Sequence, residues 1–574
     1  MHDEKKAQMK LTLLATAFFT ALVILYGLGI GNYGLFDVTE ALTAQISVEM
    51  LKTGATGTAL FNGQPMVGQF PLMHLAQMGA YQLFEISPFA ARIVSAALAF
   101  LLVFVTYNGL TNLTQNKRFA LTAAAVMALN VPMVLFAKIA VPDSLFWFLT
   151  LTSTLMTIGS VLDLHTNYIR VMIAGFLAGG AFLAGGIFGI ILPLAIGLAV
   201  ALVRHQPGHN LRQLSPFTYV LAAFMTLFPW VIGFIKAHDP QAAMEYLTVM
   251  FERSWHVGFS PSLVHPKQLL YFVFAFFPWS LFFVPAWLKH LRFGTRELTS
   301  PQTRTALPAI AFVWATLGLG IMLFIEVDYS TIFYGMLLPT AILVADLFDR
   351  LPEKSLGRIH VFYIVPAGVL LSGLIMLAPQ FVDLALGKGG LIELAPHMSK
   401  LLPWTLPVGS ESIAHEMLSQ PVEWGILPVV AGALALVGSM VGVFIMRHGG
   451  REASLFVAGG AFMALAIGVW GGLPRAYEYK QESLHWVVQK IEKDKNPKTD
   501  HTIVYGDFLP SVRFMLPGVM SYLTNPAMVT RMPGKRLFVI TDVTHKDEIE
   551  EFFPRGVKTE CVGGYCLAEL VRLR

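Results

Sequence analysis

The sequence predicts a polytopic all-α membrane domain followed by a small α/β domain, and three observations predict it. Of 574 residues, 55% are hydrophobic and 13% charged, with mean hydropathy +0.62, whereas an average soluble protein carries roughly 25% charged residues. The apolar residues gather in blocks of about 20, enough for an α-helix to cross roughly 30 Å of hydrocarbon, and lack the short alternation of an outer-membrane barrel. After residue 474 the blocks stop, and 475–574 reads as a mixed, charged, soluble stretch. This pattern argues against a soluble enzyme, a nucleic-acid module and a porin. The net charge of +4 is too small for a polyanion-binding role.

Taken in order, the candidate spans are 11–31, 89–110, 119–137, 144–162, 171–187, 188–203, 215–235, 268–288, 307–325, 331–348, 361–379, 424–446 and 454–473, about thirteen. The stretch 171–203 is too long for one span and is split at Gly185-Gly186, where a tight turn between neighbouring helices is tolerated. An odd count puts the termini on opposite sides. With the N-terminus inside, inner loops hold 17 Lys/Arg (Lys5 and Lys117 among them), and outer segments before the tail hold 7 (Lys52, Lys138, Lys236, Arg253, Lys267, Lys388, Lys400). Positive loops are retained in the cytoplasm. The expectation is a multi-pass protein of the bacterial inner membrane with a cytoplasmic N-terminus and a periplasmic or extracellular C-terminus. The polar start Met1 to Lys10 and the length of 11–31 read as an uncleaved anchor. Three outer segments are large, 32–88, 236–267 and 380–423, so a built site belongs on that face. Residues 1–474 thus form the membrane domain.

In the tail, His485 to Lys493 reads as an amphipathic helix, Thr502 to Tyr505 and Arg536 to Ile540 as strands, and Lys546 to Phe553 as a helix. Cys561 and Cys566 flank Val-Gly-Gly-Tyr. A two-residue Gly563-Gly564 turn sets them opposite each other, a geometry that accepts a disulfide in an oxidising compartment. Two free thiols are the alternative, and no second Cys/His pair supports a zinc site.

The first outer segment carries the most specific signal: Gly-Leu-Phe-Asp37-Val-Thr-Glu40, running on through Gln45 and Glu49 to Gly54, then Phe61-Asn-Gly-Gln-Pro65 and Pro71-Leu-Met-His74. It resembles the membrane glycosyltransferases of the GT-C fold, in particular the lipid A aminoarabinose transferases and the protein-mannosyltransferase clan. Their loop runs Leu-Trp-x-x-Asp-Glu, Tyr-Ala-Glu-Ile-x-x-Glu-Met-Leu-x-x-Gly, Asn-Gly and Glu-Lys-Pro-Pro. Arg92 in Phe-Ala-Ala-Arg-Ile-Val-Ser, Lys138 and Asp143 in Ala-Lys-Ile-Ala-Val-Pro-Asp, Tyr334, and Asp507 in Val-Tyr-Gly-Asp-Phe are similar to later family segments in the same order.

The resemblance implies transfer of a sugar from a polyprenyl-phosphate donor to a lipid, glycan or protein acceptor at the outer leaflet. A glycosyl phosphate already carries its leaving group, so such an enzyme needs a carboxylate for the acceptor hydroxyl and cations for the departing phosphate. On this reading Glu40, then Asp37, with Asp143 in support, are the catalytic acids. Lys138, Arg253, His256 and Lys267 meet the phosphate, and Arg92 and Tyr334 support the cavity. Nothing in the sequence requires a cofactor, and dependence on a divalent ion stays open.

The chain departs from the family pattern. Aligning Phe36 with the family Trp puts Thr39 at the first-loop catalytic Asp; Glu-Lys becomes Gly68-Gln69; Thr-Lys-Gly becomes Ala184-Gly185-Gly186; and Gly-Lys becomes Val327-Asp328. A second reading follows, a catalytically degenerate relative serving as scaffold or membrane-protein partner in envelope-glycan assembly. A transporter is the third, although it would want polar residues deep in several spans. Plainer roles compete as well: Asp37 and Glu40 fit a helix-capping box, Asp143 an N-cap, and Arg92 a partner for an acid.

Overall fold

The computed structural model describes residues 2–66, 68–163, 167–237, 239–255, 266–300, 302–324, 329–350, 358–377, 426–448, 453–496, 499–516, 518, 520–553 and 557–571. The membrane domain is a succession of helices: α1 (His2–Gly27), α2 (Thr39–Thr53), α3 (Pro71–Phe84), α4 (Pro88–Thr114), α5 (Lys117–Ala128), α6 (Val131–Lys138), α7 (Pro142–Leu162), α8 (Tyr168–Gly185), α9 (Phe188–Val203), α10 (Pro207–Leu214), α11 (Pro216–Ala237), α12 (Pro240–Trp255), α13 (Pro266–Ala275), α14 (Ser280–Leu298), α15 (Thr303–Phe324), α16 (Tyr329–Asp349), α17 (Arg358–Met376), α18 (Leu427–Arg447) and α19 (Ala453–Ile467). Between α2 and α3 lies a short hairpin of β1 (Leu60–Phe61) and β2 (Gln64–Pro65).

Each of the thirteen apolar blocks coincides with a helix or a helix pair, but the count of long spans is lower. Among the described residues eight helices are long and apolar enough to cross a bilayer, and ten if each bent pair is one span. One bent pair is α5–α6, which turns by 68°. There Asn130 caps α6 by accepting from the Met133 N–H at 2.9 Å, and Pro132 starts a new helix that cannot continue the old one. The other is α13–α14, at 113°. The 171–203 block breaks at Gly186, whose φ of 107° is open to glycine, so α8, long enough to cross a bilayer, and the shorter α9 are separate helices. Of the large outer segments, 236–267 contains α12, and 380–423 lies outside the described residues.

Small residues set the tightest helix contact. A Cβ on Gly175 would stand 2.3 Å from the Tyr219 carbonyl oxygen, and one on Gly179 2.5 Å from that of Ala223, so α8 and α11 approach backbone to backbone through a Gly-x-x-x-Gly stripe. On α7, the hydroxyls of Thr154 and Thr157 donate to carbonyls one turn back, which lets them sit buried in the bundle. At one end of the bundle, Asp346 accepts from Lys289 and Arg350 at 2.8 and 2.7 Å, and Asp349 accepts from Arg304 at 2.6 Å. These bonds tie α14, α15 and α16 together.

Beyond α19 the chain does not leave the helical path. A π-helical turn, Gly468–Gly472, leads straight into α20 (Leu473–Asp494). The tail's sheet has the order β4-β3-β5-β7-β6, from β3 (His501–Tyr505), β4 (Met520–Leu523), β5 (Arg536–Asp542), β6 (Val557–Val562) and β7 (Tyr565–Val571). β4, β3 and β5 are parallel, β7 runs antiparallel to β5, and β6 runs antiparallel to β7. Alternate residues face two apolar layers. Val504, Phe538, Ile540 and Leu567 pack on Leu484, Val487 and Ile491 of α20, while Ile503, Val539 and Leu570 pack on Val529 and Ile549. Short helices α21 (Pro510–Met515), α22 (Pro526–Val529) and α23 (Lys546–Phe552) complete this domain. Cys561 pairs with Cys566 across the β6–β7 hairpin, and the two are joined in a disulfide.

Candidate active site

The end of α1, the first outer segment, α4 and the α6–α7 junction meet at one buried ion pair. Arg92, 0% exposed, donates through Nε to Glu40 Oε1 at 2.7 Å and through Nη2 to Oε2 at 2.9 Å. Its remaining N–H groups reach the carbonyls of Ile30, Tyr33 and Gly34 at 2.6–2.8 Å, so all five guanidinium donors are used. Its charge lies 4.0 Å from the centre of the Tyr33 ring. Glu40 in turn accepts from the backbone N–H of Ala140 at 2.8 Å and of Phe36 at 2.9 Å. With two donors on each oxygen and 2% exposure, this carboxylate has no lone pair directed at a ligand. In this arrangement Glu40, read from the sequence as the acceptor base, binds Arg92 and the backbone of Phe36 and Ala140.

Lys138 is fully buried, and its ammonium donates to the Leu28 carbonyl at 2.6 Å, one turn of chain away from the same node. Lys138, read from the sequence as a phosphate ligand, is thus engaged by a backbone carbonyl. Arg253 lies in the last turn of α12 and Lys267 in the first turn of α13, but their side chains, like all of His256, lie outside the described residues.

Asp37 is not the helix cap its spacing suggests. The residue before α2 is Val38, which makes no side-chain cap, and the Asp37 carboxylate turns to the C-terminal domain. Oδ1 accepts from the Ser511 N–H at 2.8 Å; Oδ2 accepts from the Gln481 amide at 2.7 Å and from the Ser511 hydroxyl. Glu49 makes a second bridge, accepting from the Gly63 N–H at 2.9 Å and from Arg513 Nε at 3.2 Å. Burial opposes its ionisation, but the N–H of Gly63, the Gln45 amide and Arg513 outweigh it and hold the carboxyl below the usual range. Asn62 adds a third link, donating to the Met520 carbonyl at 2.6 Å. Around it the rings of Phe61, Phe508 and Tyr522 sit 5.2–5.4 Å apart, centre to centre. The links between the first outer segment and the C-terminal domain join residues more than 440 positions apart, and no periodicity or motif in the sequence signals them.

Asp143 stands half-buried in the first turn of α7, whose N-cap is Val141, so it is not the cap either. Its charge is felt by Tyr334, which packs against Phe136 at 5.2 Å and Trp147 at 6.3 Å. Two residues along α7 from Asp143, Leu145 begins the lining of an apolar cavity of about 590 Å³ between α3, α7, α8 and α11, which includes Leu72, Leu75, Leu149 and Phe176. His74 of α3 is fully buried. Burial pushes its imidazole down to about 4, against a weaker opposing bond to the Thr43 carbonyl, so the ring is neutral where it meets Ser47 Oγ at 3.0 Å. Among the described residues no group of three or more His, Cys, Asp or Glu is placed to hold a metal ion.

Residues 14–237 match the model of the dolichyl-phosphate-mannose-protein mannosyltransferase family. An uncharacterized protein of Aquifex aeolicus is 21% identical over 344 residues, 60% of this chain. The chain spans 65% of the length of that curated relative. The crystal structure of ArnT from Cupriavidus metallidurans bound to undecaprenyl phosphate superimposes with a TM-score of 0.73 at 14% identity, covering 97% of each chain. The apo form of the same protein gives 0.71 at 15%, covering 98% of each. The chain has the GT-C fold, in which an all-α membrane domain carries a small C-terminal sheet domain, and it resembles the lipid A aminoarabinose transferases and the protein-mannosyltransferase clan.

Proposed function

We infer that the chain is a membrane glycosyltransferase that moves a sugar from a polyprenyl-phosphate donor to a hydroxyl-bearing lipid, glycan or protein acceptor at the outer leaflet. The observation that carries this reading is the apolar cavity between α3, α7, α8 and α11, in a fold shared with a protein solved with undecaprenyl phosphate. A prenyl chain suits such a wall, and its head group would then lie at the rim where α7 starts. There Asp143 is the carboxylate best placed to deprotonate or orient the acceptor, with the Tyr334 phenol beside it. Arg253, His256 and Lys267 supply the outer-side cations for the phosphate. Arg92 and Glu40 fix the loop from within, and Asp37 holds the C-terminal domain to it.

In this reading Asp143→Asn lowers turnover of an undecaprenyl-phosphate-linked sugar in nanodiscs by roughly 10²- to 10⁴-fold, the usual cost of removing a general base. The melting temperature stays near that of the parent protein. Turnover within a few-fold of the parent would remove Asp143 from the chemistry. One observation favours a second reading, the degenerate partner subunit: both first-loop acids, Glu40 and Asp37, have their oxygens engaged by protein donors. Absence of turnover in the parent protein with every lipid-linked sugar tried, together with a stably copurifying membrane protein, selects that alternative.

A further inference from the structure

At the carboxyl end of β5, Asp542 is 0% exposed and ringed by donors. The His545 N–H reaches Oδ1 at 2.8 Å, the Thr544 hydroxyl bonds the same oxygen, and His545 Nδ1 lies 2.6 Å from Oδ2. Among the described residues, His545 is the side chain that can offer Asp542 a positive charge. Lys546, the next residue, turns its ammonium to Glu550 at 3.7 Å instead. The imidazole is 31% exposed, so solvent protons reach it while its partner stays sealed.

The same imidazole is wedged against the end of β3. A Cβ on Gly506 would stand 2.7 Å from His545 Nδ1, and the imidazole centre lies 6.0 Å from that of the Tyr505 ring. Five residues beyond Gly506, Ser511 gives its N–H and its hydroxyl to Asp37 of the first outer segment. Between them Phe508 packs on Phe61 of the β1–β2 hairpin at 5.2 Å. One short stretch of chain therefore connects the seat of the His545 ring to the contacts that hold the C-terminal domain on the membrane domain.

Titratable groups face His545 from each element packed on it. They are Tyr505 of β3, Asp507 just after that strand, Asp542 of β5, and Glu548 of α23, which accepts from the Tyr505 hydroxyl at 2.7 Å. Tyr565 of β7 pairs with Asp542 across the sheet. Burial opposes charge on His545, but the bond to Asp542 and the charges of Asp542, Glu548 and Asp507 outweigh it and hold the imidazole above its usual range. Burial and the Asp542 charge push the Asp507 carboxyl up to about 6, against the pull of His545. In mild acid Asp507, Asp542 and His545 together are neutral; in mild alkali they become two facing carboxylates with no cation. Both groups hold their protons more tightly in the closed arrangement than when free, so closure is favoured at low pH. That contribution is lost as pH rises through about 6 for Asp507 and higher for His545.

We propose that His545 and Asp542 form a pH-sensitive latch on the docking of the C-terminal domain: protonated His545 holds the β3–α21 connection closed on the first outer segment, and deprotonation loosens it. The latch is independent of the transferase reading, because docking is measured without turnover.

The test is hydrogen–deuterium exchange of the full-length protein in nanodiscs at about pH 5.5 and about pH 8, on either side of the imidazole titration. Rates are corrected for the intrinsic pH dependence of amide exchange, with β3 as internal reference. Protection of the segment from Asp507 to Leu516, which contains the Ser511 N–H, falls relative to β3 by roughly 3- to 10-fold at the higher pH, the scale of one linked titration. His545→Gln, which keeps an N–H donor without the charge, weakens protection at the lower pH and shrinks the pH effect. Its combination with Asp507→Asn abolishes the effect, and a melting curve checks that the sheet is folded. Equal protection of this segment at both pH values in the parent protein overturns the proposal, as does an undiminished pH effect in the double variant. A loss shared equally by β3 overturns it too, since that is unfolding of the domain and not release of the connection.

Discussion

Glu40 and Arg92 show how one pair of charges decides what a mutation in the first outer segment means. Both are buried, and each is the other's only counter-charge among the contacts of the node. Removing one partner of such a pair costs about 3–5 kcal/mol, because the survivor stays buried and uncompensated. Glu40→Gln is therefore expected to lower the melting temperature of the membrane domain along with any activity, and Arg92→Leu to do the same. A double substitution, Glu40→Gln with Arg92→Leu, recovers part of the loss. A Glu40→Gln protein with an unchanged melting curve would return this residue to the candidates for the acceptor base. The sequence made the two residues visible as motif positions but not as partners: they are 52 positions apart, and a carboxylate followed by a helix looks the same whether it caps, catalyses or neutralises. Asp37 was illegible for a related reason. The local capping preference of Asp37-Val-Thr-Glu40 is worth about 1 kcal/mol, and three donors from a domain at the far end of the chain outcompete it.

At the scale of elements, periodicity located what periodicity can locate. The apolar blocks, the break at Gly185-Gly186, strands β3 and β5 and the β6–β7 hairpin register were readable, because length, alternation and a Gly-Gly turn are local signals. Strand β4 and helices α21 and α22 were not, since four to six residues fall below the window in which a period can be recognised. The bends inside α5–α6 and α13–α14 escaped for another reason: an apolar block reads the same whether its helix is straight or folded back. The hairpin carries its own test. Closing a loop this short by a disulfide restricts the unfolded chain by about 2 kcal/mol. Cys561→Ser with Cys566→Ser is expected to lower the C-terminal domain's stability by that amount and leave the membrane domain's transition in place. Thiol labelling of the denatured, unreduced native protein should find neither cysteine reactive; labelling of both would show that the bridge does not form in the cell.

At the scale of the whole molecule, the contacts of the C-terminal domain fall on the segment that follows α1, the far end of that helix from His2. Together with the crowding of Lys/Arg into the other set of loops, this supports a cytoplasmic N-terminus and an external C-terminal domain. Alkaline phosphatase fused after Arg574 should then be active in a bacterial host; an inactive phosphatase fusion and a fluorescent cytoplasmic reporter at the same point would invert the arrangement. The domain has no slack tether. From Ala453 through the π turn to Asp494 the chain is one helical rod, roughly 60 Å long at 1.5 Å per residue, rooted in the bilayer at one end and buried under the sheet at the other. Such a rod acts as a lever. A bilayer thinner or thicker than the span requires makes a span tilt, and a continuous helix carries such a tilt toward the sheet packed on its far end.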